Sequence, residues 1–143
     1  HYVAHDSLES LFIQGDSTKE KLINFHTSFS NGTDFEPRTK KHIATPATGS
    51  CCKRLCMFLR WMVRKDSLGI DLGIWNELKP SSLFCPLDVH VGRVARSLGL
   101  INRKQNDWKA LEELQTSLLS LDPNDPSKYD FALFGLGLEG EYG

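Results

Sequence analysis

Two residues in this 143-residue chain have types suited to covalent chemistry, at places where helices are expected to begin. Lys53 stands in Ser50-Cys51-Cys52-Lys53-Arg54, ahead of a long apolar run. Asp88 stands in Pro86-Leu87-Asp88-Val89-His90-Val91-Gly92-Arg93-Val94. With Ser50 as N-cap, Lys53 falls at the third helical position, where the positive end of the helix dipole disfavours another positive charge. Arg54 acts in the same direction, which biases the amine toward its neutral, nucleophilic form. A neutral lysine attacks an electrophilic carbon and forms a Schiff base. A carboxylate on a second helix start would stabilise a cationic transition state and help deprotonate that nucleophile. Plainer roles stand beside these: a lysine that contacts phosphate, and an aspartate that only caps its helix.

The elements that must position the pair read as all-α. Asp6 or Ser7 caps a short segment carrying Leu8, Leu11 and Phe12, and Ser17 precedes a helix with Leu22, Phe25 and Phe29 on one side. Asn31-Gly32-Thr33 ends that helix. Residues 34–49 read as a basic loop, in which Thr45-Pro46-Ala47-Thr48-Gly49-Ser50 makes a tight entry to the next helix. The helix from Cys51 to Arg64 is apolar nearly all round, which predicts the most buried helix of the molecule. Its polar stripe, Lys53, Arg60 and Arg64, lines one face and suggests a cleft. Residues 66–85 form an irregular connector that Ile70, Leu72, Ile74 and Trp75 should pack down. Helix 88–98 follows, with Leu87, Val91, Val94 and Leu98 at core spacing and Gly99 as its stop. Gly92 and Ala95 leave the face beside Asp88 nearly bare, open to a ligand backbone or to close helix packing. Asn106 caps a helix to about Leu119 with Trp108, Leu111, Leu114 and Leu118 inward. Asp125-Pro126 starts a last helix through Phe134, closed by Gly135 and Gly137.

Length and composition suit one domain: 40% of residues are hydrophobic and 24% charged. No run of about 18 apolar residues occurs, so no membrane span is expected. No leader is visible, which predicts a cytoplasmic protein, and the start at His1 rather than methionine suggests a trimmed chain. Cys51, Cys52, Cys56 and Cys85 read as reduced, packed thiols. Cys52 and Cys56 share a helix face, yet nothing completes a ligand set, so no metal is expected. The net charge of −1 hides an asymmetry. Eight of the seventeen basic residues (Arg38, Lys40, Lys41, Lys53, Arg54, Arg60, Arg64 and Lys65) lie in one stretch without an acid, leaving nine against all eighteen acidic residues elsewhere. Such a block is the footprint of a polyanion partner or a solvated basic face. Arg93 and Arg96 add cations near Asp88, where phosphates could be held.

The segment Pro86 to Leu100 resembles the stretch that holds the essential aspartate of helix-hairpin-helix DNA glycosylases, notably the 8-oxoguanine branch. Lys53 sits where bifunctional members carry the Schiff-base lysine, just after the hairpin turn, and the two elements occur in the family order. The resemblance covers residues 45–137 of what is expected to be a single helical domain over 1–143, with 34–49 as basic loop and hairpin entry and 66–85 as an insertion. It implies a helical glycosylase fold, shortened at its N-terminus, that excises a damaged base from duplex DNA. Lys53 would attack the sugar C1′, assisted by Asp88, and then support strand cleavage as an AP lyase. The resemblance assigns His90 to the DNA backbone and requires no cofactor. Trp61 and Trp75 are candidates to stack on an extruded base, Trp75 being the more open of the two. The chain departs from the family in Pro46-Ala47-Thr48-Gly49-Ser50, where members usually read Leu-Pro-Gly-Val-Gly, and in the longer gap between Lys53 and Asp88. No cysteine follows Cys85, so no iron–sulfur cluster is expected. Lys53-Arg54-Leu55, Phe58-Leu59-Arg60-Trp61-Met62-Val63-Arg64 and Tyr129-Asp130-Phe131 are similar, more closely still, to an uncharacterised bacterial family of unknown function. The competing readings are a non-catalytic nucleic-acid-binding module of the same fold and an unrelated helical interaction protein.

Overall fold

The computed structural model describes residues 8–31 and 43–139. The chain divides into two compact units, residues 1–50 and 51–143. Among the described residues the regular structure is helical, and an isolated antiparallel bridge joins Lys65 and Leu72.

In the first unit, Leu8–Phe12 forms a 3-10 turn and Thr18–Ser30 forms helix α1. Ser17 caps α1 by accepting the Glu20 N–H at 3.1 Å, relieving one of the unpaired amides of the first turn. Phe12 stacks on Phe25 with centroids 4.0 Å apart, and Leu11 and Leu22 are buried beside them. A second 3-10 turn spans Pro46–Thr48, ended by Gly49 at φ +86°, a left-handed position that glycine adopts without strain. The proposed caps Asp6 and Ser7, and Gly32 and Thr33, lie outside the described residues.

The second unit holds α2 (Lys53–Val63), α3 (Val89–Ser97), α4 (Trp108–Leu121) and α5 (Asp130–Glu139). Its core is built on α4, whose Trp108, Ala110, Leu111, Leu114 and Leu118 are all buried. This corrects the expectation that Cys51–Arg64 is the most buried helix. Helix α2 buries Cys56, Leu59, Arg60 and Val63 and leaves Trp61 exposed. Its N-cap is Cys52 at φ 50°, not Ser50, so Lys53 is the first helical residue. Helix α4 is capped by Asp107, which accepts the Ala110 N–H at 3.0 Å, one residue beyond the expected Asn106. Leu98, expected in the core, is the exposed C-cap of α3.

Helix α5 runs on through Gly135 and Gly137 to Glu139, past the expected stop at Phe134. The reason is packing against α3: a methyl group at Gly137 would lie 2.8 Å from His90 Cβ and 2.9 Å from its carbonyl oxygen. The connector after α2 also differs from expectation. Asp66 accepts the N–H groups of Leu68, Ile70 and Asp71 and folds the loop on itself. Beyond it the chain alternates: Asp71, Gly73 and Trp75 point inward while Ile70, Leu72 and Ile74 are exposed. Only Trp75 of the expected apolar anchors is buried, edge-on to Phe58 at 5.5 Å.

Candidate functional site

Asp88 caps α3 with one oxygen and faces α2 with the other. Oδ1 accepts the Val91 N–H at 2.9 Å, and Oδ2 lies 3.2 Å from Lys53 Nζ. The cap locks the carboxylate's rotamer, so its second oxygen is aimed rather than free to rotate. The left-handed turn at Cys52 starts α2 beside the same point, and the Cys51 thiol reaches the Leu87 carbonyl oxygen at 3.6 Å. The side chain of Asp88 is 15% exposed and that of Lys53 45%, so the amine is within reach of a ligand while the carboxylate is mostly shielded.

Both residues line a cleft of about 190 Å³. Met57 and Arg60 continue the Lys53 face of α2 at helical spacing, Pro86 leads into Asp88, and Asp130, Phe131 and Phe134 come from α5. The volume is below the ~300–1,000 Å³ typical of drug-sized ligands and suits a single ring system. Sequence reasoning missed Met57, Phe131 and Phe134 as a wall and Asp130 as a site residue. Tyr129-Asp130-Phe131, a segment already notable in the sequence, was the available signal for two of them.

Arg60 and Arg64, expected to contact phosphates, are turned inward. Arg60 is 4% exposed. Its Nε bonds Asp71 Oδ1 at 3.3 Å, its Nη1 bonds Asp130 Oδ2, and its guanidinium carbon lies 4.5 Å from the centre of the Phe131 ring. Arg64 bonds Asp125 through Nε and Nη2 and reaches Asp71 Oδ2 at 2.9 Å. The hydrogen bond to Asp125 holds the Arg64 guanidinium more firmly protonated than usual. Burial explains the correction: a cation on the inner face of α2 needs carboxylate partners, and Asp71 from the following connector and Asp125 and Asp130 from far along the chain supply them.

The remaining candidates divide. Arg54 and Arg93 are exposed, with no hydrogen bond or ion pair among the described residues. Arg96 is occupied, bonding the carbonyl oxygens of Arg103 and Gln105 and the side chain of Asn106. Asn106 also covers the bare face at Gly92, donating to the Asp88 carbonyl oxygen at 3.3 Å. His90 packs edge-on to Phe134 at 5.6 Å, with Nδ1 buried and without a hydrogen-bond partner among the described residues. Trp75 is buried and unable to stack on a ligand as placed, whereas Trp61 is exposed, the reverse of the expectation. Arg38, Lys40 and Lys41 lie outside the described residues.

All four cysteines are free thiols. Burial pushes the Cys85 thiol up to about 12 and raises Cys56 as well, so neither is a ready nucleophile. Among the described residues no cluster of His, Cys, Asp or Glu is arranged to hold a metal ion. No helix among them is long and apolar enough to cross a membrane.

Fold and site together define a mostly helical protein with a lysine–aspartate pair at the mouth of an apolar-walled cleft. Over residues 1–139 the chain matches a family described as "Protein of unknown function (DUF2400)", and it belongs to that family. No curated protein and no solved structure matches it. The uncharacterised-family resemblance in the sequence agrees with this assignment.

Proposed function

We propose that this protein excises a damaged base from DNA and opens the resulting site through a Schiff base on Lys53, on a scaffold of helix-hairpin-helix glycosylase type. The observation that carries this reading is the 3.2 Å approach of Lys53 Nζ to Asp88 Oδ2 at the edge of the cleft. That distance is within reach for proton transfer. In the proposed reaction Asp88 takes a proton from the amine, and Nζ attacks the sugar C1′. The C1′–N bond breaks with its electron pair leaving on the base, which is then protonated. Asp88 stabilises the positive charge that develops on the sugar. The nitrogen lone pair then opens the C1′–O4′ bond, whose electron pair goes to O4′ as it takes up the proton held by Asp88, giving a protonated Schiff base. That Schiff base acidifies C2′, and loss of the C2′ proton expels the 3′ phosphate.

Borohydride trapping on lesion-bearing and abasic duplexes tests the reading. Lys53→Gln should yield no trapped adduct while still binding DNA. Asp88→Asn should slow adduct formation by roughly 10²–10⁴-fold, the range for loss of a positioned acid–base group. Its melting temperature should change little, because asparagine caps a helix about as well. Absence of adduct from the unaltered protein on every lesion, with specific DNA binding retained, favours the non-catalytic binding module instead. The phosphate contacts expected of Arg60 and Arg64 are absent from both readings alike, since aspartates already meet those charges.

A further inference from the structure

Arg60 holds more hydrogen-bonding capacity than the fold uses. Nε serves Asp71 and Nη1 serves Asp130, while Nη2 has no partner among the described residues. Nη2 is not among the buried unpartnered side-chain atoms, so it is an accessible donor on a side chain that lines the cleft. The carboxylates around it are already engaged by donors of the fold. Both oxygens of Asp71 are taken, by Arg60 and Arg64, and Asp130 receives Arg60 on Oδ2 and the Cys85 thiol on Oδ1 at 3.7 Å. The Arg60 end of the cleft therefore offers donors, between walls made by Met57, Pro86 and the rings of Phe131 and Phe134. Lys53 and Arg60 stand seven residues apart on one face of α2, about 10.5 Å along the helix axis. A nucleoside with its sugar carbon at Lys53 would direct the far edge of its base toward Arg60.

We propose that Arg60 is the specificity-determining residue of the cleft, donating to a keto oxygen on the edge of the base remote from the sugar: O6 of a 6-keto purine or O4 of a 4-keto pyrimidine. Arginine donates and never accepts, so a base with an amino group at that position leaves both partners unmatched. The ion pairs to Asp71 and Asp130 fix the guanidinium plane, which is what discrimination by geometry requires. This assignment rests on the base-excision reading above, but the sugar chemistry belongs to Lys53 and Asp88 and draws nothing from Arg60.

Two isosteric pairs test it: hypoxanthine against adenine, and uracil against cytosine, each placed in a duplex opposite a base with which neither member pairs. Affinities are measured with Lys53→Gln protein, which keeps Arg60 and cannot turn over. The keto member of each pair should bind about tenfold tighter, the discrimination expected of one good arginine contact to a base edge. Adding Arg60→Gln, whose amide both donates and accepts, should remove that preference. Should Arg60→Gln fail to fold, nitrogen-15 arginine labelling of the Lys53→Gln protein gives the same answer, since inosine should shift the Arg60 guanidinium resonance and adenosine should not. Equal affinities within both pairs, a keto preference that survives Arg60→Gln, or an unmoved Arg60 resonance would overturn the assignment. Borohydride trapping at an abasic site separates the two readings. Trapping without keto preference removes Arg60's role and leaves the lyase, while keto preference without trapping removes the lyase and leaves Arg60's role.

Discussion

A single charged side chain changes meaning with its partner, and three arginines of this chain illustrate how. Arg60 and Arg64 read as phosphate contacts in the sequence because helical spacing reveals a shared face but not what lies opposite. Asp71, Asp125 and Asp130 lie opposite. Arg103 forms a local pair instead, with both Nε and Nη2 on the carboxylate of Asp107, the cap of α4. The Arg103 hydrogen bond holds the Asp107 carboxyl down to about 2, against an ordinary value near 4. The sign follows from linkage. A carboxyl whose folded value is depressed contributes stability that is fully present above its unfolded value and is lost as pH falls through its folded one. Thermal melting of the unaltered protein and of Arg103→Gln should therefore differ most above about pH 5. The two curves should converge as pH is lowered from about 4 toward 2. Curves that remain parallel to pH 2 would show that the pair contributes nothing to folding, as many exposed ion pairs do. The proximity of Lys53 and Asp88 was legible at this scale because both sit at helix starts, and the capping bond fixes where the short Asp88 side chain points.

Helix positions were largely legible, and their burial was not. Ser17 and Asp88 cap the helices expected of them because Ser and Asp side chains accept first-turn amides wherever an apolar period follows. Asn106 and Asp107 are both cap formers, and nothing local chooses between them; the pairing of Asp107 with Arg103 favours the second. The all-round apolar character of α2 suggested the centre of the core. It reflects three separate demands instead: a packed face, a cleft wall at Met57, and an exposed Trp61. Ile70, Leu72 and Ile74 alternate as a half-buried strand would, yet the buried half is Asp71, Gly73 and Trp75, because Asp71 must reach Arg60 and Arg64. The glycines of α5 were read as helix stops and are helical. They should respond oppositely to the same change. At Gly135 an added methyl meets open space, so Gly135→Ala should stabilise by about 0.5–1 kcal/mol through helix propensity. At Gly137 it strikes the His90 backbone, so Gly137→Ala should destabilise by about 1–3 kcal/mol as α3 and α5 are forced apart. Urea denaturation of the two variants gives both signs in one experiment, and a stabilising Gly137→Ala would mean that the helices do not pack this closely.

At the scale of the molecule, three of the eight basic residues in the acid-free block meet aspartates within the second unit. Lys53 meets Asp88, Arg60 meets Asp71 and Asp130, and Arg64 meets Asp71 and Asp125, the last 61 residues away. A linear count of basic residues could not anticipate this, since the partners come from the acid-rich remainder of the chain. Lys53, Arg60 and Arg64 are thus electrostatic counterparts to the connector, to the cap of α3 and to the segment that carries Asp125 and Asp130. Of the cations this leaves near the cleft, Arg54 follows Lys53 on α2 and Arg93 lies on α3 beyond Asp88, both exposed. If the protein acts on DNA, these two carry the phosphate contacts that Arg60 and Arg64 do not. Arg54→Gln and Arg93→Gln should each lower affinity uniformly across sequences and reduce the slope of log affinity against log salt by roughly one. Arg64→Gln should leave that slope unchanged and lower stability by about 1–3 kcal/mol, the worth of hydrogen bonds between charged groups that are partly buried. The outcome that defeats this division is a salt slope that falls in Arg64→Gln with the melting temperature intact. It would mean that Arg64 leaves Asp125 to meet a phosphate, and that the internal network opens when nucleic acid binds.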